Sequence, residues 1–386
     1  MSARPRILCI SFSEFVADAR VLRQLDVLAQ YGDVVTVGYG PSPERASAHL
    51  EIPVEQASLP QTPAGVMRLI LRRFRAVELT APAVRTAREL IGNRDFDLVV
   101  ANEARALPLA FAVANGAPVW GDMHEWAPGE RTHVLSWRLL VAPFMRNVCR
   151  VYLRKCGAVS TVNRSIADLY EREFGVTTAV VRNALALQDL VPCGVKEDRI
   201  RLVHSGAAVP GRNIETLIDA ALLAGERFTL DLYLVPARDG GRYLRELRAR
   251  SRGSERITFH AAVDPSALPA TLNAYDVGVF SLPPRTINHR YMLPNKFFDF
   301  VQARVAIVFG TSFETDRLIT DHSLGLIARD FHAETLAEVL RGLNAESVRR
   351  FKASVHAAAQ LLSSEQDEAA QRSIIEGLLS STGEAR

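Results

Sequence analysis

The stretch Tyr291–Gly310, YMLPNKFFDFVQARVAIVFG, decides how the chain is read. It predicts a short helix that carries a lysine and an aspartate one turn apart, followed at once by an apolar strand, Val305–Phe309. Residues at i and i+3 on a helix are neighbours, roughly 5–6 Å apart at Cβ. Lys296 and Asp299 can therefore hold two parts of one ligand, with a phosphate on the ammonium and a sugar hydroxyl pair on the carboxylate. A nucleotide-diphosphate sugar offers both. The competing reading is a surface ion pair worth a few tenths of a kcal/mol.

Alternation of strand and helix fills the rest of the chain. Before the opening stretch, strands are expected at Ile200–Ser205, Thr229–Val235, Ile257–Phe259 and Val277–Ser281, separated by helices at Asn213–Ala224, Arg242–Arg250 and a short one near Ala267–Asn273. After it comes a strand at Leu324–Ala328 and terminal helices. An earlier block has strands at Arg6–Phe12, Val34–Tyr39, Phe96–Ala101, Pro118–Gly121, Ala158–Val162 and Thr178–Val181. Its helices are expected at Ala17–Gln30, along a basic stretch up to Ile91, from the end of the Phe96–Ala101 strand through Asn115, over Val134–Lys155 and over Ser165–Phe174, with a proline- and serine-rich loop up to about Pro63. Strands separated by helices argue for parallel sheets covered on both faces. Two such blocks make an α/β protein of two Rossmann-like domains, 1–184 and 185–363, with a C-terminal helix, about 364–386, as a candidate to pack back on the first. The boundary falls in Asn183–Arg199, which has no clear period and carries Pro192 and Gly194. Ligands of open α/β sheets sit outside the carboxyl ends of the strands, so two facing domains would enclose a cleft.

The bulk numbers suit that class. A chain of 386 residues is long for one core, 48% is hydrophobic and 7% aromatic, and the net charge of +3 gives no sign of nucleic acid. Lysine occurs only at positions 155, 196, 296 and 352. The cysteines, Cys9, Cys149, Cys156 and Cys193, form no C-x-x-C and have no histidine at metal spacing, so inert thiols in a reduced cytoplasmic protein are expected. The N-terminus leads straight into a strand, and no signal peptide or membrane span is expected. Neither G-x-G-x-x-G nor Walker A follows a first strand, which counts against an oxidoreductase or a P-loop kinase. No cofactor and no metal are expected.

The second block opens with HSGAAVPGRNIETLIDA, His204–Ala220. A strand ends in a small glycine-containing loop and a helix starts at Asn213, a good N-cap type. Exposed loop amides and a helix N-terminus favour an anion, and Arg212 stands where a guanidinium can meet a diphosphate. The competing reading is a plain βα turn with a solvated arginine.

With these two stretches together, the sequence resembles the GT-B glycosyltransferases, in particular glycosyltransferase family 4. The resemblance covers most of the chain and is strongest over His204–Phe309. The runs S-G-x(5)-R-N-I-E-x-L-I-x-A and L-P-N-K-F-F-D-F-x-x-A look like that family's donor domain, and YDVGVFSLPP, Tyr275–Pro284, looks like one of its strands. The resemblance implies a donor site of Ser205, Gly206, Arg212, Asn213, Tyr291, Asn295, Lys296 and Asp299. Arg212 and Lys296 would lie beside the donor diphosphate, Gly206 would let it approach, and Asp299 would bind the ribose hydroxyls. Asp299 matches the second of the family's two glutamates that have seven residues between them. The first is Tyr291 here, and Ala207 stands where an arginine often follows the loop glycine. How the donor sugar is held is thereby left open, with His289, Arg290 and Tyr291 as candidates.

In the first domain, ISFSEFVADARVLRQLDVLAQYGDVVTVGYG resembles the family's opening βαβ unit, including Asp18, Arg20 and Val21. Asp18 and Arg20 are candidates for the acceptor side, against an N-cap with a local ion pair. VWGDMHEWAPGE, Val119–Glu130, clusters polar residues at the end of a strand. The resemblance assigns His124 a contact with the donor sugar. Glu125 is a candidate to orient the acceptor hydroxyl or act as a base, beside a tryptophan read as exposed, Trp126. Asp122, and Asn102 and Glu103 from the preceding strand, complete the acceptor side.

These expectations add up to a sugar transferase using a UDP- or GDP-sugar. The acceptor is a glycan, lipid-linked or small-molecule hydroxyl, and the resemblance implies retention of configuration. A nucleotide-sugar epimerase and a non-catalytic subunit binding a partner transferase remain as alternatives. Arg138, Arg146, Arg150 and Arg154 form a basic stripe, and Arg68, Arg72, Arg73 and Arg75 a second cluster. They raise peripheral contact with the inner face of a membrane, against a plain solvated helix face.

Overall fold

The computed structural model describes residues 4–237 and 239–383. Strands β1 (Arg6–Glu14), β2 (Asp33–Tyr39), β3 (Ala48–Ile52), β4 (Leu98–Asn102), β5 (Val119–Met123), β6 (Ala158–Thr161) and β7 (Ala179–Val180) form one sheet in the order β3-β2-β1-β4-β5-β6-β7. Strands β8 (Ile200–Ala208), β9 (Phe228–Pro236), β10 (Ile257–His260), β11 (Val277–Phe280), β12 (Ala306–Gly310) and β13 (Gly325–Ala328) form a second, in the order β10-β9-β8-β11-β12-β13. All pairings are parallel. The chain divides into two compact units: Met1–Arg182 with Thr286–Asn288 and Asp367–Arg386, and Asn183–Arg285 with His289–Gln366.

In the N-terminal unit the helix Ala19–Tyr31 starts at Asp18, whose carboxylate accepts from Val21 N at 3.2 Å. Its Val21, Leu25 and Leu28 pack with Ile7, Cys9, Val34 and Trp120. The C-terminal helix Ser364–Gly383 adds Ile375 and Leu378 to this same core. Residues 384–386 of the expected helix lie outside the described residues. Asp367 fastens the start of that return: its Oδ1 accepts from Arg182 N at 2.9 Å and from Arg182 Nε at 3.0 Å.

In the C-terminal unit successive strand residues face two apolar layers. Val277, Val279, Ala306 and Val308 face one, and Phe280, Ile307 and Phe309 the other. The helix Asn295–Gln302 covers the second layer with Phe297, Phe298, Phe300 and Val301. Each buried phenylalanine contributes about 1.5–3 kcal/mol. Arg304 then turns the chain at φ +59°, and its guanidinium donates to the carbonyls of Val301 at 3.0 Å, Gln302 at 2.9 Å and Gln188 at 2.7 Å. A left-handed arginine thus does what a terminal glycine commonly does, satisfying the last carbonyls through its side chain.

Several local expectations need correction. The loop read up to Pro63 contains the edge strand β3, paired from Val35↔Ala48 to Tyr39↔Ile52. Its short, half-exposed AHLEI gives almost no pattern. The basic stretch to Ile91 is two helices, Pro63–Ile70 and Pro82–Ile91, each with proline in its first turn. The helix expected over Val134–Lys155 is regular only over Ala142–Tyr152, preceded by a wider π-type turn, Trp137–Val141. Trp126, read as exposed, is 3% exposed, with its ring 4.8 Å from Tyr170 and 5.5 Å from Phe174.

Candidate active site

In the C-terminal unit the strand order reverses between β8 and β11, the position where open α/β sheets bind ligands. β8 pairs with β9 throughout, but with β11 only at Leu202 and Val203. Beyond that point the two strands part. His204 bridges the gap, its Nδ1–H donating to Val279 O at 2.9 Å. Burial, then the charges of Lys296 and Arg212, hold this histidine neutral, with its pKa pushed down to about 3. Ser205 is buried in the same strand.

Gly206 follows with φ +138°, a backbone state that favours glycine. A Cβ there would lie 2.5 Å from Lys296 Nζ and 2.9 Å from its Cε. The ammonium therefore rests where any side chain at 206 would stand, 5.7 Å from the centre of the Phe280 ring. Burial pushes the Lys296 pKa down to about 8; Asp299 opposes the shift and Arg212 reinforces it. Lys296 and Asp299 do occupy one face of the helix, opposite the buried phenylalanines. Arg212 is exposed, and at Gly211 (φ +85°) a Cβ would meet Arg285 Nη1 at 2.8 Å. β8 runs past the expected end at Ser205 to Ala208, and three cations thus gather between Gly206 in that strand and Arg212 in the loop that follows it. Arg285 was not foreseen, because it sits more than seventy residues from that loop in sequence.

Other donor-side residues differ from expectation in detail. Asn213 stands before the helix Ile214–Ala224 in a left-handed conformation, φ +59°, and its side chain makes no cap to the backbone. Its Oδ1 accepts from Thr216 Oγ1 at 2.9 Å and its Nδ2 donates to Ser281 Oγ and Phe331 O, both at 3.4 Å. It ties the loop to the neighbouring strand ends. Asn295 Oδ1 accepts from Asn183 Nδ2 at 2.7 Å. Tyr291 lies 5.3 Å from Phe313, with Arg290 over both rings at 5.7 and 5.0 Å.

In the N-terminal unit a second polar cluster forms at the ends of β4 and β5. Arg20 and Asp122 are buried and doubly bonded: Nε to Oδ2 at 2.9 Å, Nη2 to Oδ1 at 2.6 Å. Ser160 Oγ at 2.6 Å and Gln24 Nε2 at 3.3 Å also donate to this carboxylate, and Arg20 Nη1 donates to Val181 O at 2.7 Å. Burial alone would raise the Asp122 pKa; Arg20 and His124 outweigh it and hold the group well below the usual carboxylate range. Buried ion pairs persist when their remaining valences are met in this way. Asp18 takes no part in the network; it is the helix cap.

His124 stands on this base. Its Nε2 faces Asn102 Oδ1 at 3.0 Å and Asp122 Oδ2 at 3.5 Å, and its Nδ1 is 4.0 Å from Glu103 Oε1. Asn102 is itself fixed, donating to Gln24 Oε1 at 3.1 Å. Both partners of Nε2 are acceptors, so Nε2 carries a proton and Nδ1 is left toward Glu103. Glu103 adopts φ +68°, its N–H donates to Asp122 O at 2.9 Å, and its carboxylate pairs with Arg105 at 2.5 Å. Strained backbone held in this way recurs at functional sites.

A cavity of about 340 Å³ opens here, lined by Glu103, His124, Glu125, Glu130 and Arg131 among others. Glu125 Oε2 accepts from Asn288 Nδ2 at 2.8 Å. Its pKa is raised by desolvation and then by Glu103. Glu130 is pushed up to about 8 by burial, then by Glu103 against the opposing Arg105. Glu103, His124 and Glu125 therefore line the cavity, while Arg20, Asn102 and Asp122 form the buried layer that orients His124. Glu130 and Arg131 belong to the site without having been singled out, although Glu130 lies in the same run as His124. Asn288 carried no signal, being 163 residues from its partner.

Known proteins match at two levels. Residues 20–189 match Glycosyltransferase Family 4. Among solved structures, sucrose-phosphate synthase from Thermosynechococcus elongatus is 14% identical with a TM-score of 0.70, over 98% of this chain and 100% of that one. HepE from Anabaena, solved in complex with UDP and glucose, is 15% identical with a TM-score of 0.66, over 98% and 100%. The α,α-trehalose 6-phosphate synthase from Burkholderia multivorans is 11% identical with a TM-score of 0.65, over 99% of both chains. No curated protein matches the sequence. The fold is GT-B, as the sequence led one to expect, and the N-terminal unit carries the family similarity.

Proposed function

We propose that this GT-B chain is a glycosyltransferase that moves a sugar from a nucleotide-diphosphate sugar, UDP-linked in preference to GDP-linked, to an acceptor hydroxyl. The observation that carries the reading is the seat of Lys296 on Gly206, at the strand-order reversal of the C-terminal sheet, with Asp299 one turn along the same helix. An ammonium held against a side-chain-free position near the end of β8 suits a diphosphate, and a carboxylate beside it suits a ribose. The preference for uridine is supported by HepE, whose structure holds UDP.

In this reading the acceptor hydroxyl attacks the anomeric carbon as the bond to the diphosphate breaks, and negative charge grows on the leaving phosphate. Arg212, Lys296 and the added Arg285 stabilise that charge without a metal, and fixed charges of this kind commonly supply the largest share of catalysis. We assign His124 to the sugar and Glu125 to the acceptor hydroxyl, with Glu103 and Glu130 shaping the acceptor cavity. The acceptor belongs to the glycan, lipid-linked or small-molecule hydroxyl classes, and the configuration is retained.

The test is a thermal-shift titration with UDP, GDP, ADP and CMP on the wild type and on Asp299→Ala. A nucleotide at 100 times its dissociation constant stabilises by about 2.7 kcal/mol. The expected result is a shift with UDP in the wild type that Asp299→Ala loses. No shift with any nucleotide would sink the donor site, and a shift that the variant keeps would remove Asp299 from it.

A further inference from the structure

Six large aliphatic side chains, Met67, Ile70, Leu71, Val134, Leu135 and Leu139, are 40–58% exposed and come from two adjoining segments of the N-terminal unit. The helix Pro63–Ile70 packs against the turn Trp137–Val141, and Arg72 Nη1 donates to Leu139 O across the junction at 3.1 Å. Phe74 reinforces the junction, its ring 6.1 Å from Phe144. Residues 63–77 and 131–150 contain eight arginines and no aspartate or glutamate. Arg68, Arg72, Arg73, Arg75 and Arg138 are all exposed around the aliphatic group.

We propose that this patch docks on the surface of an anionic lipid bilayer. The aliphatic side chains enter the headgroup boundary and the arginines meet lipid phosphates. Contiguous exposed apolar surface marks an interaction site, and a rim of exposed arginines selects a negatively charged one. Arginines near such a surface are attracted to it, and the buried aliphatic area adds to that attraction. The stripe over Arg138–Arg154 is not itself the surface: Arg146 pairs with Glu173, and Arg154 Nε donates to Phe174 O at 2.6 Å. Only Arg138 of that set borders the patch. Among the described residues no helix is long and apolar enough to cross a membrane, so the contact is peripheral. None of these residues is used in the proposed transfer, so either proposal can fail alone.

Co-sedimentation of the full chain with vesicles tests the docking. Vesicles of phosphatidylglycerol mixed with phosphatidylcholine are compared with phosphatidylcholine alone. The variants are Ile70→Glu with Leu135→Glu, and Arg68→Gln with Arg73→Gln. All four positions are exposed, and cooperative thermal melting checks that both variants fold. The expected result is binding to the mixed vesicles, weak binding to the neutral ones, and a loss of at least about tenfold in each variant, about 1.4 kcal/mol in each case. Absence of binding to mixed vesicles, equal binding to neutral ones, or indifference to both variants overturns the proposal. So does self-association that the variants abolish, which would make a second copy of the chain the occupant.

Discussion

Lys296 joins the backbone, the electrostatics and the chemistry of the donor side. Its ammonium titrates near 8, against 10.5 in an unfolded chain, because burial disfavours the charge. Between about 8 and 10.5 the unfolded chain holds more protons than the folded one. This residue therefore makes stability rise with pH across that window and adds no slope below it. A bound diphosphate acts in the opposite direction and pulls the pKa back up. Nucleotide affinity is accordingly expected to fall as pH rises from 7 to 9. Calorimetry at pH 8 in buffers of different ionisation enthalpy should report proton uptake on UDP binding, absent in Lys296→Met. Uptake that persists in the variant would place the titrating group elsewhere.

At the level of elements, the helix Asn295–Gln302 is held at the height that puts Lys296 on Gly206 of β8. The contact that sets this height is Gly278 on β11: a Cβ there would fall 2.4–2.6 Å from Phe300 Cγ, Cδ1 and Cδ2, well inside van der Waals contact with the ring. The phenyl ring lies flat on the strand because the strand offers no side chain. Gly278→Ala should lift the helix, costing about 1–3 kcal/mol through overpacking and weakening UDP binding together with stability. Urea denaturation and calorimetry on the same protein measure both. A variant that loses stability yet binds UDP normally would show that the helix position is not what seats the lysine.

For the molecule as a whole, the chain's return to its first unit is the main organising event. Ile375 and Leu378 complete a core whose other fully buried members all precede residue 121, and a Cβ at Gly157 would meet Leu378 Cδ2 at 2.6 Å. Removing 367–386 deletes these side chains and takes Asp367 from Arg182. Large-to-small losses in a core cost about 2–5 kcal/mol each, against a total stability of about 5–15 kcal/mol. The shortened chain should lose cooperative melting of its N-terminal unit, read by calorimetry; an unchanged profile would contradict this packing. The sequence by itself determined what depends on local period and local chemistry. That includes the run of strands and helices, hence the two parallel sheets, the glycine near the end of β8, and a lysine and aspartate on one helical face. It offered the cap at Asp18 only as a competing reading, and it could not show β3, whose half-exposed edge has no pattern, nor that Arg20 reaches Asp122, 102 residues away. The layer beneath His124, the cations between Gly206 and Arg212, Asn288 on Glu125 and the aliphatic patch were decided only by the tertiary structure. Each unites residues distant along the chain, whose approach is fixed by how helices and strands pack and not by any period in the sequence.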